Sequence, residues 1–555
     1  MRSLRLVTTF LMLSAAVCAA RIPTPPVPMN AAAQARLEAT LPALMEKAGV
    51  PGLSIAVIRS GNTVWRGTFG VQNESTRKPV TTDTNFNVGS LSKPVFAYGV
   101  LKLVDAGKLK LDEPLAPYLP KEMTEGDPRF QQITARFVLS HRTGFPNWPG
   151  DGKPLTIHFT PGERFSYSGS GMVFLQKAVE KITGEPLNDY MQAAVFGPLG
   201  MKHSSYVWNP AFESNAAVGH DVGGAPVDLF KADHANAAAS LETTAGDYAL
   251  FLDAVLQRRG LQPATLREME APQIAVDPAC ANCIDGTPSG KLSTSIFWGL
   301  GFGIEKTADG ESLWHWGDNG VFKAFFVVRP ATKSGVVYMT NSENGLSIGR
   351  QILAETLGGE QPAFDWLKYD NYDSPSLSFM RAAAGKGAAA ALEQFSGDLK
   401  SGAISEGTVN QVGYSLMGNK KMSDAILVFR KNVELHLDSW NAYDSLGEAY
   451  MKSGDKELAT KNYQKSVELN PKDDNAVAAL KKLGTESHAS KSEDYLRFPI
   501  QAYFSCFSIA VVTSFESGVT AGSKRCTTFP FRSTRNLVKF HLMSPEIPAE
   551  VCLVR

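Results

Sequence analysis

Ser90 and Lys93 stand three residues apart in Gly89-Ser90-Leu91-Ser92-Lys93-Pro94, and the apolar run Val95, Phe96, Val100, Leu101, Leu103 and Val104 follows at helical spacing. Residues three apart share a helix face, so the lysine amine can lie beside the serine hydroxyl at a helix N-terminus. A serine hydroxyl needs a neighbouring base to act as a nucleophile. A lysine serves as that base when burial lowers its pKa. The N-terminus also aims the Ser90 backbone N–H at any oxyanion formed by attack on a carbonyl. The same Ser-x-x-Lys spacing recurs at Ser75–Lys78 and Ser453–Lys456, but there in polar, turn-like surroundings. Only Ser90 opens a long apolar helix.

Two further stretches carry polar chemistry. Tyr167 lies in Phe165-Ser166-Tyr167-Ser168-Gly169-Ser170-Gly171, where a glycine- and serine-rich turn is expected to expose it at the start of a helix bearing Phe174, Leu175 and Val179. His315 lies in the strand-like run Leu313-Trp314-His315-Trp316-Gly317. His141, in Leu139-Ser140-His141-Arg142-Thr143-Gly144, has apolar neighbours and a following turn, which read as a structural, hydrogen-bonded histidine. Cys280-Ala281-Asn282-Cys283 lacks the second pair or the histidines that zinc requires, so a short disulfide-closed loop is expected and no metal site.

These residues must be positioned by a sizeable fold. The chain has 555 residues, 43% hydrophobic and 20% charged, with Lys+Arg 55 balancing Asp+Glu 55. That length allows two or more domains, and the neutral balance gives no support for nucleic-acid binding. Residues 1–20 have a positive start (Arg2, Arg5), an apolar run from Leu6 to Val17 and small residues at Cys18-Ala19-Ala20. This is the pattern of a secretory signal peptide, and it predicts a periplasmic or secreted protein with no stable membrane span. A helix is expected over 31–48, then strands at Leu53–Ile58 and Thr63–Phe69 joined by a turn at Ser60-Gly61-Asn62. Residues 121–290 read as mostly helical. Strand character returns at 297–304, 313–317, 324–328 and 335–340, and a helix near 347–357 closes the unit. Strands on both sides of a helical middle predict one α/β domain with a helical insertion, over 30–365.

Residues 366–408 read as a linker. Residues 409–482 repeat with a period of 34: Gly413 pairs with Gly447, Ala425 with Ala459, and Phe429 with Tyr463. The period and Tyr443-x-x-Leu446-Gly447-x-x-Tyr450 resemble the tetratricopeptide repeat. About two copies fit, expected to pack on or cap the catalytic domain, with a protein partner as the sharper use of them. Residues 486–555 carry Cys506, Cys526 and Cys552 and no period, and are expected to be disordered or atypical.

The order Ser90-x-x-Lys93, Tyr167-Ser168-Gly169, His315-Trp316-Gly317 resembles the serine β-lactamase and penicillin-binding-protein superfamily, above all its class C branch. The likeness extends to Leu139–Gly144, Pro198-Leu199-Gly200-Met201 and Thr243-Thr244-Ala245-Gly246-Asp247. It implies an antiparallel sheet flanked by helices and an acyl-enzyme mechanism without metal or organic cofactor. Ser90 would be the nucleophile, and Lys93 and Tyr167 would share its proton, Tyr167 as phenolate or relay. His315 would complete the catalytic set, the N–H groups of Ser90 and Asp318 the oxyanion hole on an edge strand, and Gly169, Trp316 and Gly317 would contact a small-molecule or peptide substrate.

The resemblance is imperfect at two places. Gly169 stands where the pattern ends in asparagine, and His315-Trp316 stands where lysine and threonine are frequent. A neutral histidine is a weak anchor for a carboxylate, so the departures point to esters, amides or D-amino-acid peptides rather than β-lactams. Two other readings compete: a binding protein built on a decayed hydrolase fold, and a Ser-His-Asp hydrolase. The second is set aside on the expectation that no Gly-x-Ser-x-Gly nucleophile elbow occurs anywhere in the chain.

Overall fold

The computed structural model describes residues 29–150, 153–284 and 289–484, and three short strands at Thr528–Arg532, Leu537–His541 and Cys552–Val554. The expected signal peptide, and residues 486–555 apart from those paired strands, lie outside the described residues.

The hydrophobic alternation of the strands builds one nine-stranded antiparallel sheet. Its strands are β1 (Gly52–Arg59), β2 (Asn62–Asn73), β3 (Lys78–Pro79), β6 (Ile274–Ala275), β7 (Ile296–Trp298), β8 (Gly303–Thr307), β9 (Gly310–Asp318), β10 (Lys323–Arg329) and β11 (Ser334–Thr340). A separate two-stranded ribbon joins β4 (Phe86–Asn87) to β5 (Glu242–Thr243). The sheet order is β3-β2-β1-β11-β10-β9-β8-β7-β6, so the first hairpin is stitched to the last strand, Leu53 opposite Thr340. The Ser60-Gly61 turn has the positive φ that its hairpin needs (52° and 73°). The apolar run at 297–304, expected as one strand, is two, because the chain reverses between Trp298 and Gly303.

Side chains alternate across the sheet. Ile55, Val57, Phe325, Val327, Val336 and Tyr338 face one layer, formed by the Ala31–Ala48 helix and the closing Gly349–Thr356 and Pro362–Leu367 helices. Ala56, Ile58, Phe326, Val328, Val337 and Met339 face the other. There the inserted helices Ser92–Asp105, Gly169–Thr183 and Ala245–Leu256 pack. This is the α/β arrangement expected, and it brings Ser90 and Tyr167 to one end of β9.

Residues 366–408 are not a linker. Helices Pro375–Lys386, Ala388–Gln394 and Ser396–Ser401 fill most of the span. Its alanine-rich sequence favours helix, and Phe379, Ala382, Ala388, Ala391 and Leu399 are buried with Val409, Val412, Val428 and Phe429 of the first repeat. The repeats are the helix pairs Glu406–Gly418 with Met422–Leu435 and Trp440–Ser453 with Lys456–Leu469, capped by a helix over 474–484. Gly413 and Gly447 do the same job 34 residues apart: a Cβ on either would press on the ring of Phe429 or Tyr463. Arg381 donates to the Lys47 carbonyl and Lys421 to the Ala384 carbonyl, so the Pro375–Lys386 helix ties the repeats to the sheet domain.

Candidate active site

Ser90 sits in a 3-10 turn, Gly89–Leu91, that runs straight into the Ser92–Asp105 helix. Gly89 is required there. Its φ is +50°, and a Cβ would meet the Asp318 backbone and Asn319 at 3.2 Å. Gly317 is required on the other side, where a Cβ would lie 2.1 Å from the Val88 carbonyl oxygen. These two glycines let the serine turn and β9 touch, which places Ser90 beside Asp318.

Lys93 Nζ lies 2.8 Å from Ser90 Oγ and donates to the Ala238 carbonyl at 2.8 Å. The side chain is fully buried. Among the described residues no carboxylate is bonded to it, and burial lowers its pKa to about 7. At neutral pH a large fraction of the lysine is therefore the free amine, able to take a proton. No sequence signal pointed to Ala238, since any residue type offers the same carbonyl.

Tyr167 reaches the same point from the start of the Gly169–Thr183 helix. Ser168 caps that helix, its hydroxyl accepting from the Gly171 N–H and donating to the Pro146 carbonyl. Tyr167 is buried, not exposed at the helix start as expected, because aromatic rings close over it. His141 lies 4.4 Å away between ring centroids, Trp316 4.6 Å and Trp298 6.0 Å. Lys93 Nζ stands 4.8 Å from its ring centre. The Tyr167 hydroxyl lies toward Ser90 without completing a well-formed hydrogen bond. Burial raises its pKa, and the nearby Asp318 charge adds to the rise. The environment thus opposes the phenolate and favours a neutral phenol that relays a proton.

His141 has the structural role expected of it. It is buried with φ +55°, and its Nδ1 accepts the Ser168 N–H at 3.1 Å, which fixes the turn beneath Tyr167. The Cys280–Cys283 disulfide supports the same turn from behind: the Tyr167 N–H donates to the Ala281 carbonyl at 2.9 Å, and the Cys283 N–H to Ser166 Oγ at 3.1 Å. The Asp277 carboxylate lies within 4.8 Å of both sulfurs, but it accepts from the Ala279 and Ser289 N–H groups and the Ser289 hydroxyl.

His315 is fully buried on β9, its Nδ1 2.7 Å from the Trp316 carbonyl oxygen. Burial, and then the Lys93 charge, lower its pKa to about 3. It is neutral at any ordinary pH, so a change of substrate charge preference as pH crosses about 6.5, the free-histidine range, is not expected of it. β9 is an interior strand rather than an edge strand, but its pairing with β8 ends at Trp314. From His315 to Asp318 it is paired only with β10, and its other side is open toward Ser90.

Two features near this open edge escaped sequence reasoning. Asp318 carries an ion pair with Lys323, and its Oδ2 accepts from the Tyr369 hydroxyl at 2.6 Å. These groups line a cavity of about 390 Å³ with Glu343, Asn344 and Ser347. Lys323 is five residues away and on the next strand, so only the β9–β10 turn could have announced it. The second feature is Trp148, 46% exposed, whose ring would lie 2.8 Å from a Cβ at Gly169. The space above Gly169 is thus taken by an indole from a neighbouring loop, and the Gly169 N–H donates to Asn147 Oδ1.

The expectation that the chain lacks a Gly-x-Ser-x-Gly run is corrected: Gly345 to Gly349 is one, between β11 and the Gly349–Thr356 helix. Its serine is not activated. Ser347 is 7% exposed, its hydroxyl donates to the Asn344 carbonyl at 2.6 Å, and no histidine is bonded to it among the described residues.

The profile of the beta-lactamase family matches residues 37–355, and a tetratricopeptide-repeat profile matches 441–473. A beta-lactamase of Pseudomonas fluorescens is 27% identical over 266 residues, covering 46% of this chain and 72% of that protein. Penicillin-binding protein 4 of Amycolatopsis lactamdurans is 28% identical over 348 residues, 58% of this chain and 89% of that one. Esterase EstB of Burkholderia gladioli is 28% identical over 204 residues, 31% and 51%. Among solved structures, the octameric penicillin-binding protein homologue from Pyrococcus abyssi superposes with a TM-score of 0.50 at 24% identity, covering 63% of this chain and 81% of its own. A class C beta-lactamase gives 0.50 at 21% identity, 60% and 98%. These two likenesses are of fold.

Proposed function

The chain belongs to the beta-lactamase family, and we propose that it is an active serine hydrolase that cleaves small neutral esters or amides through an acyl-enzyme. One observation carries the reading: a fully buried lysine amine, its pKa near 7, 2.8 Å from a serine hydroxyl at the foot of a helix. The decayed-fold reading has no use for that arrangement, since burying a lysine without a counter-charge is unfavourable.

In this mechanism Ser90 Oγ attacks the substrate carbonyl carbon and its proton passes to Lys93. The tetrahedral oxyanion is held by the N–H groups of Ser90 and Asp318, on the open side of β9. Tyr167 gives its phenolic proton to the leaving group as it receives the Ser90 proton back from Lys93, so the bond to the protonated leaving group breaks, Lys93 and Tyr167 are both neutral again, and the acyl chain stays on Ser90. A water molecule then attacks the acyl carbon as Lys93 takes its proton, and that proton returns to Ser90 Oγ as the bond to the acyl group breaks and the acid leaves. His315, neutral and buried, shapes the floor beneath Tyr167, while Trp316 and Trp148 supply apolar walls. Lys323, the cation beside Asp318, is already paired with it, and a substrate carboxylate would have to displace that pair. A charge-assisted hydrogen bond is worth about 1.5–3 kcal/mol, so neutral substrates are favoured by about ten- to a hundred-fold. Export through residues 1–20 and contact of the repeats with a protein partner belong to the same proposal.

The test is a side-by-side assay of the protein lacking residues 1–20 with p-nitrophenyl acetate, a cephalosporin and a D-Ala-D-Ala peptide, together with fluorophosphonate labelling. Labelling at Ser90, its loss in Ser90→Ala, and kcat/KM highest for the ester are expected. Full activity in Ser90→Ala, or a cephalosporin turned over faster than the ester at pH 7.5, overturns the reading.

A further inference from the structure

The two N–H groups assigned to the oxyanion hole come from chain positions 228 residues apart, and one side chain ties their neighbours together. Asn87, the residue at the end of β4, accepts the Gly89 N–H at 3.0 Å on its Oδ1. The same oxygen accepts the side-chain amide of Asn319 at 2.7 Å. Gly89 is next to Ser90 in the chain, and Asn319 is next to Asp318. No other contact described for this site joins both flanks of the hole through a single atom.

The orientation of that amide is fixed from its other end. Asn87 pairs directly across the ribbon with Glu242 on β5, and its Nδ2 donates to Glu242 Oε1 at 2.9 Å. Glu242 is only 4% exposed, and Asn87 is its one side-chain partner among the described residues. A carboxylate oxygen accepts and cannot donate, so it selects the amide rotamer in which the nitrogen faces β5 and the oxygen faces the serine turn. A flipped amide would set its NH2 group against the Gly89 N–H, donor against donor. Burying a carboxyl group is unfavourable unless it is hydrogen-bonded, and no contact described for Glu242 reaches the reacting atoms. Its use is therefore indirect.

We propose that Asn87 is a positioning residue for catalysis, holding the Ser90 and Asp318 N–H groups at the spacing an oxyanion requires, and that Glu242 sets its orientation. This rests on the serine-hydrolase reading above. Oxyanion donors act on the transition state more than on bound substrate, so a slackened hole lowers kcat with little change in KM.

The pair permits a test by exchange. Asn87→Leu removes the acceptor, and kcat for p-nitrophenyl acetate should fall about a hundred-fold with KM within about threefold, the range for losing an oxyanion donor. Asn87→Asp keeps an acceptor but sets a carboxylate against Glu242, and kcat should fall tenfold or more. The double variant Asn87→Asp/Glu242→Gln reverses the cross-strand bond, the introduced glutamine amide donating to the introduced carboxylate. It should bring kcat back to within about threefold of the unmutated enzyme. Fluorophosphonate labelling rates should follow the same order, and circular dichroism checks folding of each variant. If Asn87→Leu does not fold, the exchange pair decides. Unchanged kcat in folded Asn87→Leu, or a double variant no faster than Asn87→Asp, overturns the proposal while leaving an active hydrolase in place. An unmutated protein that neither labels nor turns over the ester sinks both.

Discussion

Lys93 holds its amine 2.8 Å from the Ser90 hydroxyl with no carboxylate bonded to keep it charged among the described residues, and this relationship sets how the protein responds to pH. The amine becomes available as base when it loses its proton, at a pH of about 7. For a neutral ester, kcat/KM should rise about tenfold per pH unit below that value and level off above it. His315, with its pKa near 3, and His141, pushed well below the usual histidine range, add no limb in between. Burial also lifts Glu242 to about 7, so the profile should be repeated in Glu242→Gln; a limb that persists there belongs to Lys93. A profile flat from pH 5 to 9 removes Lys93 as the base.

The same depressed pKa bears on stability. An unfolded lysine holds its proton up to about 10.4, so between about 7 and that value the folded chain binds fewer protons than the unfolded one. Stability contributed at this residue therefore rises with pH across that window. In Lys93→Met this part of the pH dependence of Tm should disappear.

Tyr167→Phe separates chemistry from packing. The ring stays among His141, Trp298 and Trp316, and the hydroxyl that is lost completes no hydrogen bond in the resting protein. Thermal stability should be unchanged or slightly raised, while kcat falls about a hundred-fold for want of the proton relay. A drop in Tm of more than a few degrees would show that the hydroxyl is structural.

Asp318→Asn should alter selectivity. It keeps the backbone N–H but removes the charge that pairs Lys323. The freed ammonium then faces the cavity beside the hole, and KM for carboxylate-bearing substrates should fall about tenfold relative to neutral esters. An unchanged ratio would mean that Lys323 does not reach the substrate.

Reduction of the Cys280–Cys283 disulfide should slow the enzyme without unfolding it. The carbonyl that holds the Tyr167 N–H lies between the two cysteines. A dithiol reductant should lower kcat several-fold with little change in KM, and Cys280→Ser/Cys283→Ser should match it and ignore the reductant. Equal kcat before and after reduction counts against any support of Tyr167 by this loop.

How much of this site the sequence discloses depends on how each residue acts. Ser90, Lys93, Tyr167 and His315 carry side chains of uncommon chemistry within short patterns, and the fold brings all four together. The three-layer fold was legible for a similar reason, since β1, β10 and β11 alternate cleanly between two apolar faces. Ala238 acts through a carbonyl that any residue has, and Asn87 through a contact made only once Asn319 has folded against it. The burial of Tyr167 could not be read from its glycine- and serine-rich surroundings, because the rings that cover it come from residues 141, 298 and 316. The helices over 375–401 were hidden because alanine supplies packing surface without a strong periodic signal.

The pairing of Leu53 with Thr340 reaches further than the shape of the sheet. Strand β1 leaves the ribosome almost 300 residues before the strand that flanks it, and β9 with its Asp318 donor arrives only shortly before β11. Contacts of such long range form late, after the local ones. The serine turn and its lysine can therefore exist in a growing chain, but the completed hole cannot. Ser90 stays without its second N–H donor until nearly the whole sheet domain has been made, and strand β1, which the folded protein buries along almost its whole length, must be shielded from aggregation for that entire interval. Synthesis arrested before residue 340 should yield a soluble chain only when a chaperone is bound, and one that no acylating probe can label.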